Sequence, residues 1–124
     1  METQKKILLI EDDIATASLL TTVLCQNEWN VSVVYSGERA LEKIDSFNPD
    51  IIILDLLLPG MSGFDVLRKI RGEKKYKKPI VILSNLSSDR DREESFSAGA
   101  TEYLVKSSLG IKDIVQVFEK YKQT

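Results

Sequence analysis

A short apolar run followed by a stretch of helical period occurs five times along this chain, and that alternation leaves little freedom in the fold. The pairs are "KILLI" then Ile14 to Asn27, "VSVVY" then Gly37 to Phe47, "IIIL" then Gly63 to Gly72, "IVIL" then Asp89 to Gly99, and "YLV" then Gly110 to Lys122. The short runs have the length of strands, and the stretches between them place apolar residues at helical spacing. Strands joined through helices run parallel, with right-handed crossovers. The predicted class is therefore α/β, a five-stranded parallel sheet with five helices on both faces. "KILLI", "IIIL" and "IVIL" are apolar on both faces, as central strands covered by helices are, whereas "VSVVY" and "YLV" read as peripheral. Ala17, Leu20 and Leu24 share one helical face in the first unit, and Ile111, Ile114, Val115, Phe118 and Tyr121 share one in the last, so both helices should pack on the sheet.

Local punctuation agrees with these periods. Pro49 and Pro79 stand ahead of strands, Ser36-Gly37 and Ser62-Gly63 open helices, and Gly72 and Gly99 are expected to follow them. The fourth helix is poor in apolar residues: "SSDRDREESFSAGA" offers only Phe96 and its alanines, and a helix that buries so little should be loosely held. With 124 residues, 43% of them hydrophobic, the chain reads as one domain over residues 1–124, without repeat or linker. Its charges are interspersed, with a net of −2, and point neither to direct nucleic-acid binding nor to a disordered tail. A single cysteine, Cys25, precludes an intrachain disulfide, and no apolar run matches a signal peptide or membrane span, so a cytoplasmic location is expected. The chain contains no histidine, which excludes His-ligated zinc, Ser-His-Asp and Cys-His catalysis and a phosphohistidine carried by this chain. Any chemistry falls to carboxylates, hydroxyls and lysine.

One carboxylate stands out. "IIILDLLLPGMSGFDVL" places Asp55 within an almost unbroken apolar run, where a buried acid costs several kcal/mol unless it is paired, metal-bound or chemically used. Other polar groups follow the other strands: Glu11 and Asp12 after "KILLI", Ser84 after "IVIL", Lys106 after "YLV". The carboxyl ends of parallel strands form one crevice, so these distant residues become neighbours by topology. Clustered carboxylates repel by roughly a few kcal/mol per pair at an effective dielectric near 20 and call for a cation or protonation. Such an oxygen-rich site suits Mg²⁺, which together with the Lys106 ammonium would balance Glu11, Asp12 and Asp55 in a pocket ready for a phosphoryl group. Asp55 would be the nucleophile and form an acyl phosphate. Lys106 and the Ser84 hydroxyl would stabilise charge on the transferring oxygens.

"LLIEDD", "DLLLPGMSG", Ser84 and "YLVKS" resemble the receiver domain of two-component response regulators along essentially the whole chain. The resemblance implies a flavodoxin-like fold with strand order 2-1-3-4-5 and Asp55 as phosphoacceptor. It also implies Mg²⁺ held directly by Asp12, Asp55 and the Leu57 backbone carbonyl, and by Glu11 through water. Ser84 and Lys106 would contact the phosphoryl oxygens. Ser84 is further implied to move toward the phosphoryl group while Tyr103, the aromatic on the fifth strand, turns inward. The implied partners are a sensor histidine kinase or histidine phosphotransfer protein and a downstream protein, reached through the face of the fourth helix, fifth strand and fifth helix. Phosphorylation-dependent homodimerisation through that face is a family expectation.

Four positions depart from the family's habits. Asn85 stands where a small residue usually follows the hydroxyl, and should narrow access. Ser107 stands where proline commonly follows the lysine, so the loop loses a restraint and Lys106 is less rigidly aimed. Leu57 and Leu86, two residues beyond Asp55 and Ser84, cannot position a hydrolytic water by hydrogen bonds, which predicts a long-lived acyl phosphate. Blander readings apply elsewhere. "RGEKKYKK", Arg71 to Lys78, reads as a solvated loop, and Cys25 and Trp29 read as structural. The sequence thus reads as a phosphorylation-activated signalling switch rather than an enzyme. Its rivals are a phosphorylation-independent receiver-fold interaction module and a small Mg²⁺-dependent phosphohydrolase. The second lacks an aspartate two residues after the nucleophile. A flavin-binding flavodoxin is disfavoured by the acidic first loop, "EDDIA".

Overall fold

The computed structural model describes residues 4–123, so the two ends of the domain read from the sequence, residues 1–3 and 124, lie outside the described residues. The elements run β1 (Lys6–Ile10), α1 (Ile14–Gln26), β2 (Asn30–Val34), α2 (Gly37–Phe47), β3 (Ile51–Leu54), α3 (Gly63–Gly72), β4 (Ile80–Ser84), α4 (Asp89–Ser97), β5 (Glu102–Val105) and α5 (Ile111–Glu119). Single 3₁₀ turns cover Lys106–Ser108 and Lys120–Gln123. All four strand pairings are parallel, and the order is β2-β1-β3-β4-β5, as the resemblance implies.

Because strand side chains alternate between faces, each central strand feeds two cores. Ile7, Leu9, Ile51, Ile53, Val81 and Leu83 pack with Ala17, Leu20 and Leu24 of α1 and with Ile114 and Phe118 of α5. Leu8, Ile10, Ile52, Leu54, Ile80 and Ile82 turn the other way, against Ala40 and Ile44 of α2 and Val66, Leu67 and Ile70 of α3. The strands read as peripheral, β2 and β5, are the two edges of the sheet. Among the described residues, no helix is long and apolar enough to cross a membrane.

Four helix starts carry a side-chain cap, two of them, at Ser36 and Ser62, expected from the sequence. Asp13, Ser36, Ser62 and Ser88 each accept a hydrogen bond from the backbone N–H three residues on, at 3.1–3.3 Å. Gly63 is dictated by packing: a Cβ there would stand 2.3 Å from Leu56 Cα and 2.8 Å from the Asp55 carbonyl oxygen. The start of α3 is thereby pressed against the backbone that follows Asp55. Gly72 behaves differently from the expectation, since it is the last residue of α3, and a Cβ there would meet nothing within 4 Å. The chain reverses instead near Lys75, at φ +56°.

Two of the blander readings change. Cys25 is exposed, because it follows buried Leu24 by one position and so leaves the Ala17, Leu20, Leu24 stripe; Trp29 is buried as expected. The stretch from Arg71 to Lys78 is not merely solvated. Arg71 donates through Nε to the Gly99 carbonyl at 3.0 Å, through Nη1 to the carbonyls of Tyr76 at 2.9 Å and Lys78 at 2.7 Å, and through Nη2 to Thr101 Oγ1 at 3.3 Å. Tyr76 is itself buried, with its hydroxyl donating to the Pro49 carbonyl at 3.1 Å. The α3–β4 connection is therefore a knot of polar contacts around one guanidinium. Helix α4 is as poorly buried as its composition foretells: Ser95 is its one buried residue, and Phe96 keeps 48% of its surface exposed.

Candidate functional site

Backbone register fixes where the polar groups land. Ile10 pairs with Leu54, Leu54 with Ile82, and Ser84 with Val105, so the strands end side by side at one edge. The ladders continue for one residue beyond: the Asp55 N–H donates to the Ile10 carbonyl at 3.0 Å and the Glu11 N–H to that of Val34 at 3.1 Å. Glu11, Asp55 and Ser84 are buried and Asp12 is exposed. Ligand oxygens of Glu11, Asp12 and Asp55 lie within 4.8 Å of one another. Sequence reasoning placed these three acids together, and the structure does so too.

Lys106, the first residue after β5, sends its ammonium into the cluster. Nζ donates to Asp55 Oδ2 at 2.8 Å and to Glu11 Oε1. The remaining oxygens are held by backbone: Asp55 Oδ1 accepts from the Leu57 N–H at 3.0 Å, and Glu11 Oε2 from the Asp13 N–H at 3.2 Å. Burial pushes the Glu11 carboxyl above its ordinary range, with the Asp55 charge adding to this and Lys106 opposing it. For Lys106, burial alone would lower the pKa, but the hydrogen bonds to Asp55 and Glu11 outweigh it and raise the value. Lys106 is thus a fixed ammonium between two acids, as the charge argument requires.

Ser84 is fully buried at the end of β4, and its Oγ accepts from the Leu86 N–H at 3.4 Å. Tyr103 is also buried, and its hydroxyl donates to the Leu86 carbonyl at 2.7 Å, while the Arg92 guanidinium stands 5.0 Å from the centre of its ring. Burial is the main reason that the Tyr103 phenol is pushed up in pKa. Leu57 comes to Asp55 through its N–H, and its side chain is 53% exposed, whereas Leu86 packs partly against the α2–α3 core.

Two features escaped sequence reasoning. Asp13 belongs to the acidic run, yet it serves helix α1, accepting from both the N–H and the hydroxyl of Thr16; its preference as a capping residue was the available signal. Those hydrogen bonds from Thr16 hold its carboxyl below the usual range. The other is a contact between two of the departures: the Asn85 side-chain oxygen accepts from the Ser107 N–H at 3.0 Å.

As a donor set, three carboxylates from the ends of two strands, with no nitrogen or sulfur among them, fit a hard divalent cation such as Mg²⁺. A buried carboxylate held by an ammonium beside such a set can accept a phosphoryl group. The family model described as the response regulator receiver domain matches residues 7–119. This chain belongs to the response regulator receiver family.

The receiver is 35% identical over 102 residues to the transcriptional regulatory protein RstA of Escherichia coli, a match that covers 82% of this chain and 42% of RstA. It is 33% identical over 101 residues to the transcriptional regulatory protein TrcR of Mycobacterium tuberculosis, covering 82% of this chain and 39% of TrcR. The matched segment is thus about two-fifths of each relative's length. Among solved structures, the BeF3-activated receiver domain of Klebsiella pneumoniae RstA superposes with a TM-score of 0.86 at 32% identity, covering 96% of this chain and all of that one. The chemotaxis protein CheY4 of Vibrio cholerae superposes with a TM-score of 0.88 at 27% identity, over 95% of this chain and 98% of its own. The receiver is accordingly a signalling module of the two-component type, with the flavodoxin-like arrangement expected from its sequence.

Proposed function

We propose that this receiver is a phosphorylation-activated switch in which Asp55 takes a phosphoryl group from a phosphohistidine. The observation that carries the reading is the buried Asp55 carboxylate, held between the Lys106 ammonium and the Leu57 N–H beside two further acids. A carboxylate oxygen of Asp55 attacks phosphorus, the bond from phosphorus to the histidine nitrogen breaks, and the imidazole leaves with the electron pair of that bond and takes up a proton from solvent. Lys106 keeps its charge throughout and faces the incoming phosphoryl oxygens. Ser84 supplies a hydroxyl at the end of the neighbouring strand. Asp12, Asp55 and the Leu57 carbonyl, with Glu11 through water, would hold Mg²⁺, whose charge offsets that of the phosphoryl oxygens.

The 124 residues contain no histidine, so the phosphohistidine lies outside them, on a sensor histidine kinase or a histidine phosphotransfer protein. Readout passes from Ser84 to Tyr103 and so to the face of α4, β5 and α5, where it meets a downstream protein or a second copy of the receiver. A weakly buried α4 supports this, because a ligand shifts only an equilibrium whose gap is a few kcal/mol. Self-catalysed phosphorylation and slow dephosphorylation change the receiver's state and not a free substrate, so the role is a switch rather than an enzyme, working in the cytoplasm.

The test is intact-mass spectrometry after incubation with acetyl phosphate, with and without Mg²⁺, beside Asp55→Asn. A single phosphoryl adduct that requires both Mg²⁺ and Asp55 is expected. An unmodified wild type, with a kinase-borne phosphohistidine as donor as well as with acetyl phosphate, would instead favour a phosphorylation-independent interaction module.

A further inference from the structure

The β4–β5 ladder reaches its last pair at Ser84 and Val105, and the next residues on the two strands are Asn85 and Lys106. Past that pair the chains diverge, β4 toward α4 and β5 into the 3₁₀ turn Lys106–Ser108. One further tie crosses between them: Asn85 Oδ1 accepts from the Ser107 N–H at 3.0 Å. A side chain here takes the place of a backbone rung, immediately beside the residue whose ammonium enters the acid cluster.

We propose that Asn85 is a positioning residue for Lys106, acting through the Ser107 N–H. The proposal rests on the phosphoacceptor role of Asp55 and extends it to a residue outside the acid cluster. The contact needs both partners to be what they are. A small residue at 85 offers no side-chain acceptor, and a proline at 107 has no N–H to give. Two positions that sequence reasoning treated as separate losses, narrowed access at 85 and a slack loop at 107, are thus the halves of one bond. Pinning Ser107 restricts the backbone of the 3₁₀ turn at the residue after Lys106, and so limits the positions from which Nζ reaches Asp55 Oδ2. It also fastens the loop after Ser84 to the loop after β5, so that a displacement of the first is felt at the second.

The test follows Asp55 phosphorylation by acetyl phosphate with saturating Mg²⁺, using intact mass against time, in wild type, Asn85→Ala, Ser107→Pro and the double variant, together with amide exchange at Ser107 and thermal midpoints. Loss of one exposed hydrogen bond predicts a rate roughly two- to tenfold lower in Asn85→Ala, with faster exchange at the Ser107 amide. Both single changes remove the same contact and Ser107→Pro adds the restraint of its ring, so the double variant should be no slower than Asn85→Ala. A merely structural role would lower the thermal midpoint and leave the rate per folded molecule unchanged, and that result overturns the proposal. So do additive losses in the double variant. So does faster phosphorylation in Asn85→Ala, which would make Asn85 an obstruction. A wild type that takes no phosphoryl group from either acetyl phosphate or a kinase-borne phosphohistidine overturns the phosphoacceptor reading itself, and an active wild type with an unaffected Asn85→Ala overturns the positioning role alone.

Discussion

The Tyr103 hydroxyl donates to the Leu86 carbonyl at 2.7 Å, and the Leu86 N–H in turn donates to Ser84 Oγ at 3.4 Å. One residue thus joins the hydroxyl at the end of β4 to the aromatic of β5. Tyr103 is itself buried. Tyr103→Phe keeps the ring and removes the tie, leaving the Leu86 carbonyl without its phenolic donor. The expected result is a loss of about 1 kcal/mol in urea unfolding and faster amide exchange between β4 and α4, with Asp55 still able to take a phosphoryl group. Unchanged exchange in that loop would mean that the bond does not hold it.

Asp12 separates two effects of the acid cluster. It is the exposed member of the three, and Lys106 reaches the other two. Without Mg²⁺, Asp12→Asn removes a repelling charge and should leave the thermal midpoint unchanged or slightly raised. With Mg²⁺ at a hundred times the wild-type dissociation constant, wild type should gain about 2.7 kcal/mol, and the variant much less. Calorimetry with and without the ion reads both. Equal gains in the two proteins would remove Asp12 from the ligand set.

The architecture was legible because each element carries its own signal. "KILLI", "IIIL" and "IVIL" are apolar on both faces, and the stripes of α1 and α5 bury the residues that their spacing predicts, Leu20 and Leu24 in one and Ile114 and Phe118 in the other. The candidate site was legible for a different reason: a parallel sheet gathers its strand ends, so that Glu11, Asp55 and Lys106 meet although Lys106 is 95 residues from Glu11. Contacts that depend on side-chain reach were not legible. Arg71 lies in a basic run that composition assigns to solvent, and three of its four hydrogen-bond partners are backbone carbonyls, which no residue type reveals. The Asn85 to Ser107 bond is hidden in the same way, one half of it being a peptide N–H.

Leu57 gives the cleaner test of acyl-phosphate lifetime. Its side chain is 53% exposed, whereas Leu86 packs against the core and would confound rate with stability. A polar residue at 57 can hold a water near phosphorus, and Leu57→Asn should speed loss of the phosphoryl adduct by about tenfold, short of what full general-base catalysis supplies. Decay of the phosphorylated mass peak after donor removal measures this. An unaltered decay would show that the leucine is not what preserves the adduct.

Arg71 is expected to matter for folding and not for phosphoryl transfer. Its planar fork reaches carbonyls on three residues, Tyr76, Lys78 and Gly99, and a lysine ammonium cannot span them. Gly99 is held close as well, at φ +110°, with a Cβ there meeting Arg71 Cγ at 2.7 Å. Arg71→Lys should therefore cost about 2–4 kcal/mol in denaturant unfolding, the sum of a few charge-assisted hydrogen bonds. The rate of Asp55 phosphorylation per folded molecule should be unchanged.

Acid stability should depend on Asp50, at the opposite end of the sheet from the acid cluster. Burial would raise the pKa of its carboxyl, but the Lys6 N–H at 2.8 Å and the Lys78 ammonium at 3.4 Å outweigh burial and hold it below the usual carboxylate range. A depressed folded-state pKa gives stabilisation that is present above the unfolded value and is lost as pH falls through the folded one. Wild type should therefore lose part of its unfolding free energy below about pH 4 through this group. In Asp50→Asn the amide oxygen can still accept from the Lys6 N–H, while the titrating charge is gone. Urea unfolding at a series of pH values from 6 down to 3 should show a lower plateau for the variant near neutrality and a shallower decline on the acid side. Parallel curves would mean that the Asp50 contacts in the native state do not shift its titration.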